Sequence, residues 1–296
     1  MTASTQSLRG TLYVEDAEVN SIKSYPGKQY RLRLQSPKCA AHATAGSFVH
    51  LQCDASIPLR RPMSIMRADA DAGWIEILFK VVGQGLKSLA NKQPGDRMSS
   101  IGPIGHGFKT TAAHRRPLLI GGGVGIPPMI FLAETLNRDR HDWQPLVIMG
   151  SEIPFPFECA KTAIACDWLP QGVDATMPLL ESWGIPVKLA SLASLPGTYR
   201  GYVTDVAEKY LTSLTKDELA ETEIFSCGPT PMLKAVASLA NKFKLPCQVS
   251  LEEYMACGVG GCAGCTVLVQ TGEGPAMKRV CVDGPVFQAA DVFPDC

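Results

Sequence analysis

Apolar and polar positions alternate with a period of two over the first ~110 residues, the spacing of half-buried strands. Tyr30, Leu32 and Leu34 alternate with Arg31 and Arg33. Turn-rich stretches separate the further strand candidates, which are Phe48–Cys53 and Trp74–Val82. Because many short strands occur here without a long amphipathic helix, the pattern predicts a small antiparallel β-barrel.

The pattern changes at Pro117, where short apolar strands begin to alternate with stretches of helical spacing. Leu118–Ile120 precedes a glycine-rich turn, and Ile126–Leu136 has the spacing of a helix. The same order of strand, turn and helix recurs at Leu146–Gly150, Ile224–Ser226 and Met232–Ala240. Alternating strands and helices predict a parallel α/β sheet. We therefore predict three domains: a β-barrel over 1–112, an α/β domain over 113–248 and a small cysteine-containing domain over 249–296.

Composition excludes several classes of protein. The 296 residues are 46% hydrophobic and 19% charged with a formal net charge of zero, so nucleic-acid binding has no electrostatic support. The longest uncharged stretch, Pro117–Ala133, contains four glycines and three prolines and is too short and too interrupted to cross a bilayer. Eleven cysteines behind an N-terminus without an apolar signal region favour a reducing cytoplasm.

Four cysteines near the C-terminus have a spacing typical of a metal cluster. Cys257, Cys262, Cys265 and Cys281 are arranged as C-x4-C-x2-C-x15-C. This is close to the plant-ferredoxin arrangement that holds a [2Fe–2S] cluster. The intervening glycines allow tight backbone turns and a close approach of N–H groups to sulfur. The sequence therefore predicts a one-electron carrier.

Two other roles for these cysteines stay open. A structural zinc site would usually have two C-x2-C pairs, and only Cys262 and Cys265 form one here. Unliganded thiols are the second alternative. The other seven cysteines are interpreted as small core residues or inert thiols: Cys39, Cys53, Cys159, Cys166, Cys227, Cys247 and Cys296.

Two strand-to-helix turns are candidates for nucleotide binding. Gly121, Gly122, Gly123 and Gly125 follow a predicted strand and precede a helix, a context in which backbone N–H groups approach a pyrophosphate. Pro128 stands where a third glycine of the usual motif would be, which a first helical turn tolerates. The second turn has the same position relative to its strand and consists of Cys227, Gly228 and Pro229. Ligands bind at such turns in open α/β sheets, although a tight turn without a ligand would have the same sequence pattern.

A third candidate lies in the predicted barrel, in the stretch Arg60–Ile65. An arginine binds phosphate through two parallel hydrogen bonds, and a serine hydroxyl can hydrogen-bond a ring nitrogen. By itself, however, this stretch is more consistent with a basic surface turn.

Together and in this order, the motifs resemble those of the electron-transfer subunits of class 1B dihydroorotate dehydrogenases, a branch of the ferredoxin-NADP reductase superfamily. The matching stretches extend over almost the whole chain: RPMSI, LFKVVGQG, GPIGHGF, LLIGGGVGIPP, FSCGPTPML, SLEEYMACGVGGCAGCTV and RVCVDGPVF. The resemblance implies an FAD-binding barrel, a domain for NAD(H) and a C-terminal [2Fe–2S] domain.

The resemblance also implies a role for individual residues. Arg61 would contact the flavin phosphates and Ser64 would lie near flavin N5. The remaining residues implied at the flavin are Pro62, Met63, Leu78, Phe79, Lys80, Gly85 and Leu86. The four motif cysteines would be the cluster ligands, and no catalytic acid or base is required.

The chain departs from the family at two places. Leu86 replaces a threonine beside the pyrophosphate, so it keeps a backbone N–H but has no hydroxyl. The stretch between Gly150 and Gly201 is longer than the family pattern and rich in proline and cysteine. The second departure affects the expected nicotinamide pocket and leaves the choice between NADH and NADPH open.

The function that the resemblance implies is an oxidoreductase component of pyrimidine biosynthesis. Its partner would be an FMN-containing catalytic subunit that oxidises dihydroorotate, in a heterotetramer of two plus two chains. Electrons would pass through the cluster to FAD and NAD. One alternative is the same module serving a sulfide dehydrogenase, a hydrogenase or a bifurcating transhydrogenase. A non-enzymatic sensor or scaffold that holds a cluster or zinc is a lesser alternative.

Overall fold

The structure is a computed structural model and describes residues 11–139, 141–164 and 166–296. A closed barrel, a six-stranded sheet and a small hairpin are its main β-structures. The part of the predicted first domain that precedes Thr11 lies outside the described residues.

The first part of the chain forms a closed six-stranded antiparallel barrel. Its elements are β1 (Tyr13–Tyr25), β2 (Gln29–Gln35), α1 (Pro37–His42), β3 (Phe48–Leu51), β4 (Arg61–Asp69), β5 (Trp74–Lys80), α2 (Gly83–Ala90) and β6 (Arg97–Ile104). The strands pair in the order β1-β2-β5-β4-β3-β6, and β1 closes the barrel by pairing with β6. Leu32 and Leu34 are fully buried as the alternation predicts, while Arg33 turns outward over the Trp74 ring.

The second part forms a sheet covered by helices on both faces. Its elements are β7 (Arg116–Gly122), a 3₁₀ turn (Gly123–Gly125), α3 (Ile126–Arg138), β8 (Leu146–Gly150), β9 (Ala160–Lys161), β10 (Ala175–Thr176), α4 (Pro178–Glu181), β11 (Val187–Ala190), α5 (Val203–Ser213), α6 (Lys216–Ala220), β12 (Thr222–Cys227), α7 (Thr230–Phe243) and β13 (Cys247–Ser250). Leu119 packs in one core cluster with α3, and its neighbour Leu118 packs in another with α5 and α7. Burial on both faces explains why these strands are continuously apolar.

The last part of the chain contains little regular structure. Its elements are β14 (Thr266–Thr271), β15 (Gly274–Arg279), β16 (Val286–Gln288) and α8 (Ala289–Val292). β14 and β15 form a hairpin, whereas β16 pairs antiparallel with β13 and completes the larger sheet in the order β11-β8-β7-β12-β13-β16. Barrel, parallel α/β sheet and small C-terminal unit agree with the predicted fold class.

Specific polar contacts join the barrel to the sheet. Glu134 of α3 is almost fully buried and accepts two hydrogen bonds from the Arg67 guanidinium of β4, at 2.7 and 3.1 Å. The Gln248 side chain of β13 accepts from the backbone N–H of Lys109 at 3.0 Å and donates to its carbonyl oxygen at 2.6 Å. These contacts fix the carboxyl-terminal half of α3 and the strand β13 beside the barrel and the segment that follows it.

The long stretch after Gly150 lies against the barrel. Ile153 fills the space beside Gly27, and Gln29 of β2 donates a hydrogen bond to the carbonyl oxygen of Pro154 at 2.8 Å. An exposed ion pair joins Lys23 to Glu158 at 3.6 Å. Among the described residues, no helix is long and apolar enough to cross a membrane.

Candidate functional site

Arg61 and Gly85 meet at one corner of the barrel. Arg61 is the first residue of β4, and its Nη1 donates to the carbonyl oxygens of Leu59 at 2.9 Å and Arg60 at 3.1 Å. A Cβ atom placed on Gly85 would lie 3.4 Å from Arg61 Nε. The backbone of α2 therefore passes directly beside a guanidinium that has further N–H donors to offer, which is an arrangement suited to a phosphate.

The other predicted flavin residues differ in what they present. Pro62 and Ser64 lie on one face of β4, opposite His50 and Phe48 of β3, and both are half-buried. A second group has side chains that pack in or against the barrel core, so that mainly backbone groups remain for a ligand: Met63, Leu78, Phe79 and Leu86. Lys80 is exposed at the end of β5.

The two predicted nucleotide turns are in contact with each other. β7 and β12 are parallel neighbours, so their carboxyl ends lie side by side. A Cβ atom on Gly125 would overlap the carbonyl group of Cys227, and one on Gly122 would overlap Met232 Sδ. Gly123 has a φ of +57° in the left-handed region. Gly122 and Gly125 are therefore required by this close approach, whereas Gly123 is favoured by its backbone conformation.

The amino end of α3 has fewer hydrogen-bond donors than the motif suggested. Pro127 and Pro128 occupy the second and third helical positions, and proline has no backbone N–H. The N–H of Ile126 donates to Gly123 within the turn. The expected anion site therefore depends on the N–H groups of the glycine turn and on the helix dipole, more than on free donors of the helix itself.

Glu252 lies beside Cys227 and was not singled out from the sequence. Cys227 is fully buried, and its Sγ lies 3.9 Å from Glu252 Oε1. Burial, with the nearby Glu252 carboxylate, raises the pKa of Cys227 well above its usual value, so the thiol is protonated. Glu252 as a residue is exposed to solvent, but the surrounding protein keeps water from its carboxyl group. This desolvation raises the pKa of Glu252 as well. The sequence signal that could have identified Glu252 was its position in the stretch SLEEYMAC, just before the cysteines.

The four motif cysteines form two pairs. Cys265 and Cys281 are buried with their sulfurs 3.4 Å apart. Cys257 and Cys262 lie on the more exposed side of the same loop, and each accepts a hydrogen bond from a backbone N–H two residues further on, at 3.5 and 3.4 Å. Gly258 and Gly260 have φ values of +69° and +80°, which the tight curl of this loop requires.

The two cysteine pairs differ in how readily a thiol ionises. Burial raises the pKa of Cys257, but hydrogen bonds from the backbone N–H groups of Val259, Cys262 and Gly261 outweigh it, and the pKa falls to about 7. Burial raises the pKa of Cys281 to about 12, with Cys265 adding to the effect. Within the described residues no three metal-binding side chains gather around one point. Two pairs of cysteines fit a [2Fe–2S] cluster, because each of its two irons takes two thiolates.

Comparisons with known proteins identify two domains in the chain. A family described as the iron–sulfur cluster binding domain of dihydroorotate dehydrogenase B matches residues 252–293. The oxidoreductase FAD-binding domain family matches residues 18–108. These matches agree with the predicted cluster and flavin cofactors.

Solved structures of reductases share this fold. An NADH-dependent reduced ferredoxin-NADP oxidoreductase aligns with a TM-score of 0.75 and 23% identity over 94% of this chain and 90% of that one. The ferredoxin reductase of carbazole 1,9a-dioxygenase aligns with a TM-score of 0.61 and 22% identity over 79% of this chain and 67% of its own. At these identities the likeness concerns the fold alone.

Curated relatives match over nearly the whole chain. Proteins named dihydroorotate dehydrogenase B (NAD(+)), electron transfer subunit, are 35% identical in Geobacillus thermodenitrificans and 36% identical in Geobacillus kaustophilus, each over 94% of this chain and 98% of the relative. The protein of that name from Desulforamulus reducens is 30% identical over the same shares. The resemblance seen in the motifs is confirmed, and the chain belongs to the family of dihydroorotate dehydrogenase B electron-transfer subunits.

Proposed function

We propose that this chain carries electrons between a [2Fe–2S] cluster, FAD and NAD(H), for an FMN-containing catalytic subunit that oxidises dihydroorotate to orotate in pyrimidine biosynthesis. The observation that carries the proposal is the cysteine loop, whose paired sulfurs and N–H···S contacts suit an iron–sulfur cluster. The same chain also contains the Arg61 corner and the paired glycine turns. The proposed domains are 1–112 for FAD, 113–248 for NAD(H) and 249–296 for the cluster.

The flavin site in this proposal is the face of the barrel around the start of β4. Arg61 would hold the phosphates while the backbone at Gly85 lets them approach closely. Ser64 would present its hydroxyl to the flavin ring. The further residues proposed there are Pro62, Met63, Leu78, Phe79, Lys80 and Leu86.

The nicotinamide site is proposed at the carboxyl ends of β7 and β12. The glycine turn would bind the pyrophosphate, and the Cys227–Pro229 turn would line the nicotinamide side of the pocket. The residues proposed in these two turns are Gly121, Gly122, Gly123, Gly125, Cys227, Gly228 and Pro229. Because its thiol is protonated, Cys227 itself adds no negative charge there to oppose a bound dinucleotide.

The cluster site is proposed as two ligand pairs, Cys257 with Cys262 and Cys265 with Cys281. When bound, the cofactors supply the exchange between two-electron transfer at the nicotinamide and one-electron transfer at the cluster. The chain positions the cofactors, and its backbone N–H groups stabilise the negative charge on the cysteine sulfurs.

A surface for the catalytic partner is proposed around the cluster. Tyr254 is 95% exposed just before the cysteine loop, and Val259 is exposed within it. Leu268 and Met277 are opposite each other in the β14–β15 hairpin and are 56% and 61% exposed. Exposed apolar side chains concentrated on a small domain are typical of a protein interface. The proposed assembly is a heterotetramer of two plus two chains in the cytoplasm.

The test is an anaerobic pull-down of the tagged chain from its native cells, assayed for dihydroorotate-dependent reduction of NAD⁺. Oxidation of dihydroorotate releases two electrons and two protons, and NAD⁺ accepts two electrons and one proton. We expect activity with a co-purifying FMN protein. A flavin- and iron-containing complex that oxidises NADH but does not act on dihydroorotate would assign the electron-transfer module to another redox enzyme.

A further inference from the structure

His50 is a fully buried histidine for which the proposed electron path has no role so far. It lies on β3, where Val49 and Leu51 pack in the barrel core. Strand alternation places His50 on the same side as Phe48, which packs in the core cluster that also contains Cys265 and Cys281. His50 therefore points away from the barrel interior and toward the cysteine-containing segment.

The imidazole lies between the flavin strand and the cysteine loop. His50 is directly opposite Pro62 in the pairing of β3 with β4, so it shares a face with Pro62 and Ser64 of the RPMS motif. On its other side, a Cβ atom placed on Gly258 would be 2.7 Å from His50 Nδ1. Any other residue at position 258 would push the loop off the ring, and its φ of +69° also favours glycine.

The hydrogen bonding of the two His50 ring nitrogens is incomplete within the part of the chain that the structure describes. Both are buried, and neither makes a hydrogen bond of acceptable geometry within the described part of the chain. The carbonyl oxygens of Cys257, Met255 and Arg60 nevertheless lie close to the ring. Native proteins seldom leave a buried polar group unsatisfied, because its loss of water is then uncompensated. In every protonation state the ring carries at least one N–H donor.

This inference rests on the proposed function. We propose that His50 is a positioning residue for the cluster. Its ring N–H donates a hydrogen bond to the Cys257 carbonyl oxygen once the cysteines have closed around the irons. We expect the gathering of the four thiolates to shift the loop and to bring this carbonyl oxygen into hydrogen-bonding geometry. The bond then fixes the first cluster ligand relative to the strand that carries the flavin motif, and so fixes the separation of the two redox groups. Partners of this kind, one bond beyond the ligands, commonly control cluster retention and electronic structure.

The test compares two substitutions that differ in hydrogen-bonding ability. His50→Leu keeps an apolar side chain of similar bulk without a donor, whereas His50→Gln keeps an N–H donor. His42→Leu is the matched control, because His42 is an exposed histidine in the same barrel. Each full-length chain is purified anaerobically with its cofactors. Measurements are the rate of iron loss to a chelator, the EPR spectrum of the reduced cluster and the FAD content.

We expect His50→Leu to lose iron about tenfold faster than the wild type and to have an altered EPR spectrum, with FAD retained. His50→Gln should recover most of both properties, and His42→Leu should match the wild type. Wild-type iron loss and EPR in His50→Leu would overturn the inference, and so would equal defects in the Leu and Gln variants, because packing alone would then explain them. If His50→Leu does not fold, His50→Met replaces it, since the flexible methionine adapts to irregular space. A wild-type chain without an iron–sulfur EPR signal would overturn the proposed cluster, and this inference with it.

Discussion

The barrel and the cysteine loop are held together by different physical means. The barrel closes its hydrogen-bonded ladder completely and fills its interior with apolar side chains such as Leu32 and Ile77. The loop from Glu252 to Cys265 has no regular secondary structure, and its backbone N–H groups point at sulfur. The barrel can therefore form from burial alone, whereas the loop depends on the ligand that its thiolates bind.

The largest effect should come from removing a cluster ligand. Cys265→Ser replaces a buried thiol with a hydroxyl that binds iron poorly, so we expect nearly complete loss of iron and a looser C-terminal segment. FAD should stay bound, because the barrel does not depend on the loop. Iron and flavin contents measured on the same sample check both halves of the comparison. Unchanged iron content would contradict the ligand assignment.

The converse experiment disrupts the barrel site and leaves the loop intact. Arg61→Ala removes a charge-assisted contact to phosphate worth about 1.5–3 kcal/mol, so we expect FAD to bind about ten- to a hundredfold more weakly. Iron content should not change. The control is Arg97→Ala, because Arg97 is an exposed barrel arginine paired with Asp16 and Glu18. Normal flavin occupancy of Arg61→Ala after gel filtration would contradict the proposed phosphate contact.

A smaller effect should distinguish the exposed apolar residues of the two regions. Met277→Asp places a charge in the surface proposed for the partner, and we expect about a tenfold loss of affinity for the catalytic subunit. Val14→Asp makes the same kind of change on β1 of the barrel, where Val14 is also exposed, and should have no effect. Titration of each variant against the isolated catalytic subunit measures the difference. Equal losses of affinity in both variants would contradict a partner surface specific to the C-terminal hairpin.

The smallest effect concerns Glu252, the first residue of the loop. The pKa of Glu252 is raised, so its charged form is less favourable in the folded chain than in the unfolded chain, and this destabilises the fold at pH values above the carboxyl's normal range. Glu252→Gln should therefore raise the melting temperature slightly at pH 8 and have little effect at pH 4, where the carboxyl is largely protonated in both states. Thermal unfolding at the two pH values tests this. A rise in melting temperature of the same size at both pH values would show that the charge of Glu252 is not the cause.

Local patterns were sufficient for predicting the elements and the motif positions. Alternation located β2, and helical spacing located α3, whose observed end at Arg138 lies two residues beyond the predicted Leu136. Contacts between distant segments were beyond such patterns. The approach of Gly125 to Cys227 spans about a hundred residues, and no local period encodes it. The same holds for Glu252, whose position beside Cys227 depends on how the chain returns after β13.

By itself, the sequence determined the type of each domain and the chemistry of its motifs, because strand alternation, helical periodicity and cysteine spacing are local properties of the chain. Only the tertiary structure decided how the motifs combine. It placed Gly85 beside Arg61, brought Gly125 against Cys227, and buried His50 between the flavin strand and the cysteine loop. These outcomes depend on packing between distant segments, which exists only after the barrel, the sheet and the loop have folded against one another.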